Sequence, residues 1–188
     1  MKLTAQIDSD CKCMKNYFTN LLKLLNESRE AEALSPTELY DLDADESQSK
    51  YHGFSHFIKP DMVINIYSLV DYWMTSICEY HRKSRQLSLK ITDIKGHGDL
   101  DARHKYLTKY ANINLDGVKD SYKHLGQLRK IRNKFIHGGG HINSDKEDRE
   151  FSKINGITIS GTLIIIEESF IWSKLYHAQK YLLAAVKA

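Results

Sequence analysis

Apolar residues recur along most of this chain at steps of three and four, the spacing that places side chains on one face of a helix. Ile7, Cys11, Met14, Phe18, Leu21 and Leu25 follow one another at steps of 4, 3, 4, 3 and 4, which predicts a first helix over about residues 5–32. The seam runs under three heptads, so it reads as the core face of a bundle rather than a free coiled coil. Residues 33–60 carry Pro36, Gly53, Pro60 and an acidic run, and are expected to be loop-rich. A second helix opens at Pro60-Asp61, because proline and an acidic residue suit a first helical turn. Its stripe is Val63, Ile66, Val70, Trp73 and Ile77, and it runs to about Arg85.

Residues 88–117 are polar, basic and punctuated by glycine, which predicts a connection holding a short helix around 100–111. A third helix covers about 117–137, with Leu125, Leu128, Ile131, Phe135 and Ile136 on its apolar face. Asn143 to Glu150 reads as a charged loop. The β-branched run Gly156 to Ile166, broken by Ser160-Gly161, predicts a small hairpin. A final helix over about 167–187 buries Ile171, Leu175, Ala178 and Leu182. The expectation is a mainly α fold: an antiparallel bundle of four main helices with a β-hairpin insertion. Neither an internal repeat nor a second domain is evident. Residues 1–188 read as one domain, with the helix and loop of 1–60 packing on a core bundle of 61–188.

Composition narrows the class. Hydrophobic residues make up 41% of the 188 residues, enough for a substantial core. No apolar run approaches the ~20 residues that span a bilayer, so no membrane partner is expected. The N-terminal stretch from Met1 to Asp8 lacks the apolar core of a signal peptide, and three cysteines argue against a disulfide framework. Cytoplasmic localisation is therefore expected. The net charge of +3 is unevenly spread. Residues 1–80 hold 7 Lys/Arg against 13 Asp/Glu, residues 81–137 hold 14 against 5, and residues 138–188 hold 6 of each. A basic block of this kind is either a solvated helix face or a surface for a polyanion.

That block ends on Leu128-Arg129-Lys130-Ile131-Arg132-Asn133-Lys134-Phe135-Ile136-His137, followed at once by Gly138-Gly139-Gly140. The glycines predict an abrupt helix stop. Immediately before it stand a fixed cation, an amide and a side chain that titrates near neutral pH, a set suited to a phosphodiester. Asn133 and His137, four apart, share one edge of the helix. Arg132 and His137 are five apart and diverge by roughly 140° on an ideal helix. One chain is expected to unite them only through the reach of arginine or distortion at the glycine end; two facing copies offer an easier route.

Arg132-Asn133-Lys134-Phe135-Ile136-His137 resembles the Arg-Asn-x-x-x-His motif of HEPN domains (higher eukaryotes and prokaryotes nucleotide-binding), and the resemblance extends at low detail over about residues 61–188. Such domains are helical bundles, often dimeric, and many are metal-independent endoribonucleases of toxin, phage-defence or RNA-processing systems. The resemblance implies cleavage by attack of a ribose 2′-OH on the adjacent phosphorus, leaving a 2′,3′-cyclic phosphate and a 5′-OH. In that scheme His137 is general base or acid, Arg132 neutralises the developing charge, and Asn133 orients the histidine or binds phosphate. Asp71, at the margin of the second helix's stripe, is the candidate acidic partner for Arg132, ahead of Glu79. Arg129, Lys130 and Lys134 are expected to hold the RNA backbone, and His141 to add a second histidine to the cleft. RNA, a second copy of the chain and an antitoxin or other protein are the partners implied. Other members of the family lack catalysis and serve as docking modules, so a non-catalytic bundle binding RNA, a nucleotide or a protein is the alternative. A further alternative is an unrelated helical interaction domain. A structural reading of the motif makes Arg132 a buried ion-pair residue and His137 a helix cap.

No cofactor or metal is expected. Cys11-Lys12-Cys13 lacks a second ligand pair. Gly53 stands where a zinc-protease glutamate would follow His52, despite the four-residue spacing to His56. Asp41-Leu42-Asp43-Ala44-Asp45 fails as a calcium loop at Glu46 and His52. Neither a Walker A pattern nor a dinucleotide glycine fingerprint occurs.

Overall fold

The computed structural model describes residues 2–33, 42–96 and 98–187, with residues 28–33 and 42–56 described by their backbone alone. Among the described residues, six α-helices and one hairpin make up most of the regular structure: α1 (Lys2–Ala33), α2 (Leu42–Ser84), α3 (Asp99–Lys105), α4 (Lys119–Gly138), α5 (Asp145–Phe151), β1 (Ile157–Ser160), β2 (Leu163–Ile166) and α6 (Glu168–Lys187). The fold is mainly helical. Of the long helices, α6 packs against α1, α2 and α4, and α2 packs against α1 and α4.

The apolar stripes explain this packing. Ile7, Cys11, Phe18 and Leu25 of α1 are buried, as are Val63, Ile66, Val70, Trp73 and Ile77 of α2 and Ile171, Leu175, Ala178 and Leu182 of α6. Each such side chain contributes ~1.5–3 kcal/mol by leaving water, so the stripes hold the helices together. Polar ties set the register of α1. The Trp73 indole donates to Asp10 Oδ2 at 3.1 Å, and the Gln179 amide donates to Asp8 Oδ1 at 2.9 Å. On α4 the core face is Leu125, Leu128 and Ile131. Phe135 is half-buried, and Ile136 is exposed rather than part of that face.

Two segments expected as loops are helical. Residues 42–60 belong to α2, which continues through Pro60. A proline inside a helix removes one amide donor and costs about 3 kcal/mol. The buried stripe that begins at Met62 anchors the helix just beyond the proline, offsetting that cost. The rest of the expected loop, residues 34–41 with Pro36, lies outside the described residues. Asn143 to Glu150 is the second case, and most of it forms α5. Ser144 caps that helix, its Oγ accepting from the Glu147 amide at 3.3 Å, while Glu147 Oε2 accepts from the Asn143 amide at 2.8 Å.

The hairpin has the register Ile157↔Ile166 and Ser160↔Leu163, with Ile157, Ile164 and Ile166 turned into the core. It is stitched to the end of α4. The Ile164 amide donates to Gly140 O at 3.0 Å, and the Ile142 amide donates to Thr162 O at 2.6 Å. The helix stop itself is made by Gly139 at φ 58°, a left-handed conformation that glycine adopts at little cost. Among the described residues, no helix is long and apolar enough to cross a membrane.

Candidate active site

A cleft of about 700 Å³ runs between α2 and the second half of α4, closed at one side by the start of α3. From α2 it receives Tyr67, Asp71 and Tyr72; from the start of α3, Gly98 and Asp99; and from α4, Arg129, Arg132, Asn133 and His137. Arg129, Asn133 and His137 recur at four-residue steps, so they form one line along the helix surface. Arg132 enters from beside that line. Its guanidinium lies over the Tyr67 ring, 5.3 Å from the centroid, and its Nη1 donates to Asn133 Oδ1 at 3.0 Å. A single chain therefore brings Arg132 and His137 to one cleft despite their angular separation. The reach of arginine does it, and α4 stays helical through Gly138.

The electrostatics of the cleft favour an anion. Among the described residues, no carboxylate pairs with Arg129 or Arg132, and the buried Arg132 Nε has no hydrogen-bond partner. Asp71 and Asp99 are the carboxylates in the lining. Asp71 is not the partner of Arg132: its Oδ1 accepts from Arg103 Nη1 of α3 at 2.6 Å. Of the two carboxylates in the lining, Asp71 is thus engaged by Arg103. Burial raises the Tyr67 phenol above its ordinary range, with Arg129 pulling the other way, so the hydroxyl stays neutral. Gly98 has φ 108°, a conformation that L side chains rarely adopt, and the Arg129 guanidinium lies where a Cβ would stand.

Three residues expected to bind RNA lie elsewhere. Lys130 is paired with Glu150, and Lys134 donates to Glu147 Oε2 at 2.7 Å. Both carboxylates come from α5, the helix missed in the sequence, whose acidic face covers the basic edge of α4. Lys134 in turn holds the Glu147 carboxyl below its ordinary value. His141 is exposed and outside the cleft, its Nδ1 3.0 Å from Thr162 Oγ1 at the hairpin turn. The cleft also contains groups that sequence reasoning missed, notably Tyr67, Tyr72 and Asp99. Tyr72 lies one position beyond Asp71 and is 62% exposed, an uncommon placement for a large aromatic. No protein-family model, curated protein or solved structure matches the chain.

Proposed function

We propose that the protein is a metal-independent endoribonuclease of the HEPN type, with Arg132, Asn133 and His137 as its catalytic set. One observation carries the reading: these three residues meet in one cleft beside Arg129, and neither arginine has a carboxylate partner among the described residues. A bound phosphodiester supplies the missing negative charge. The ribose 2′-oxygen attacks the adjacent phosphorus as its proton passes to a base, and the 5′-oxygen leaves as it takes a proton from an acid. His137 fills one of these roles. Arg132 is held over Tyr67 and by Asn133, so its fork of donors is already oriented for the pentavalent phosphorane. Arg129 holds the flanking phosphate, and the exposed Tyr72 offers a face for a base. Asp71 acts through Arg103 rather than on substrate.

The active form we infer is a homodimer. The dimer rests on the motif resemblance, with the 43% exposed Ile136, next to His137 on α4, supplying apolar surface for a second copy. A toxin or phage-defence role, with an antitoxin as partner, follows from the motif resemblance alone. The second reading is a non-catalytic bundle that binds RNA, favoured by the same two arginines, which have no carboxylate partner among the described residues.

The test is incubation of a mixed RNA with the protein in EDTA, alongside His137→Ala and Arg132→Ala. Cutting to cyclic-phosphate ends by the wild type, abolished in both variants with the helical signal intact, supports the nuclease. Saturable binding without cutting moves the assignment to the RNA-binding bundle.

A further inference from the structure

Away from the cleft, the first half of α4 and the facing turn of α6 bring together Asp120, His124 and His177. One donor atom from each lies within 4.8 Å of the other two. We propose that these three residues form a binding site for a single divalent transition-metal ion, with Zn²⁺ the best match, clamping α4 to α6. None of the three lines the cleft, so the inference stands apart from the nuclease reading.

The geometry arises from helical spacing. Asp120 and His124 are one turn apart on α4 and share a face. His177 comes from α6, its ring stacked on that of His124 with centroids 3.7 Å apart and planes 10° from parallel. The Nδ1 edge of each ring is already engaged. His177 Nδ1 is 3.1 Å from Ser121 Oγ; His124 Nδ1 is 2.8 Å from Lys174 Nζ and 3.5 Å from Ser173 Oγ. Lys174 Nζ also donates to Gln127 Oε1 at 2.5 Å. The opposite edges are left for a ligand, and His124 Nε2 stands 3.8 Å from Asp120 Oδ2. A histidine bound to metal through Nε2 donates its Nδ1–H to an acceptor, a part that Ser121 Oγ can play for His177 and Ser173 Oγ for His124. The Lys174 ammonium can only donate, so metal binding moves the His124 proton from Nε2 to Nδ1 and leaves Lys174 to Gln127.

The donor set selects the ion. Two imidazoles and one carboxylate match a three-ligand zinc site with water in fourth place, whereas Ca²⁺ and Mg²⁺ prefer oxygen. Tetrahedral bonds of ~2.1 Å put donors ~3.4 Å apart, so the set must close by up to about 1.4 Å and tilt the stacked rings out of their parallel arrangement. Asp120 has room to move, its side chain being 74% exposed, and leaves the fourth position open to water.

Chelator-stripped wild-type protein should be titrated with Co²⁺, then with Zn²⁺ in competition. The expected result is one ion per chain with the intense visible bands of tetrahedral nitrogen and oxygen ligation, displaced by Zn²⁺. Ligation by Cys11, Cys13 or Cys78 would add a near-ultraviolet thiolate band, and that result overturns the assignment. Asp120→Ala and His177→Ala should weaken binding by at least about a hundredfold, and Ser121→Ala by about tenfold. Asp120 is at the surface, so its variant carries the test if His177→Ala fails to fold. Unchanged affinity in Asp120→Ala, or no saturable binding by the wild type, means that the rings are a stacked pair and nothing more.

Discussion

Arg103 reaches from α3 to Asp71 on α2, Nη1 to Oδ1 at 2.6 Å, with 14% of the arginine side chain exposed and 39% of the aspartate. This contact separates a supporting role for Asp71 from a catalytic one. Asp71→Ala leaves Arg103 with its buried Nε and its Nη1 both unpaired. The expected cost is about 1–3 kcal/mol, towards the low end because the aspartate is partly screened by water. Thermal melting should show the loss, and residual cleavage should track the folded fraction. Full stability with cleavage abolished would instead make Asp71 part of the chemistry.

Arg132→Lys tests the planar fork. Lysine keeps the charge but loses the bidentate donors and the stacking on Tyr67. Cleavage should fall by about a hundredfold or more, the usual loss when an oriented donor to a developing oxyanion is removed. The melting temperature should change little. A lysine variant that cuts as fast as the wild type would show that charge alone suffices.

Arg129 and the two lysines should separate in a salt titration of RNA binding. Arg129→Ala should weaken binding and lower the slope of log affinity against log salt by about one. Lys130→Ala and Lys134→Ala should leave that slope unchanged, because Glu150 and Glu147 already occupy those ammonium groups. Equal slope changes for all three would place RNA on the α5 side of α4 as well.

Acid should unfold the chain early. Burial lowers the values of His81, His104, His124 and His177, that of His124 to about 4 from an ordinary 6.5. Between the lowered values and 6.5 the unfolded chain binds protons that the folded chain refuses, so stability falls as pH drops through that window. Lys174, lowered to about 8 from 10.5 by burial, gives the same sign at higher pH: stability rises as pH climbs from 8 to 10.5. Melting in EDTA, scanned from about pH 8 to pH 5, should show the acid decline. A flat profile would mean that these histidines take up protons in the folded state.

The stripes on α1, α2 and α6 are legible in the sequence because burial there follows a strict helical period. Ser144-x-x-Glu147 is equally legible as a capping signature, although the charge around it reads as a loop. Pro60 misleads for the opposite reason: a local breaking rule gives way to the stripe beyond it. In the candidate site, Arg129, Asn133 and His137 follow from helix spacing alone. The Asp71–Arg103 contact does not, because it depends on how α3 leans on α2. Nor does the meeting of Asp120 and His124 with His177, since the spacing of α4 says nothing about which residues of α6 will face it.

The three glycines after His137 differ in how much substitution each can absorb. A Cβ at Gly138 meets nothing within 4 Å, and the residue is still helical. Gly139 has open space but a left-handed backbone, so asparagine is its best replacement. Gly140 has neither freedom: its φ is 83°, and the Phe135 ring already fills the space of a Cβ. In a saturation library of this segment, sequence diversity should therefore narrow from 138 to 140. Position 140 should emerge nearly invariant although it touches no substrate, and a survey that scores invariance as chemistry would misassign it.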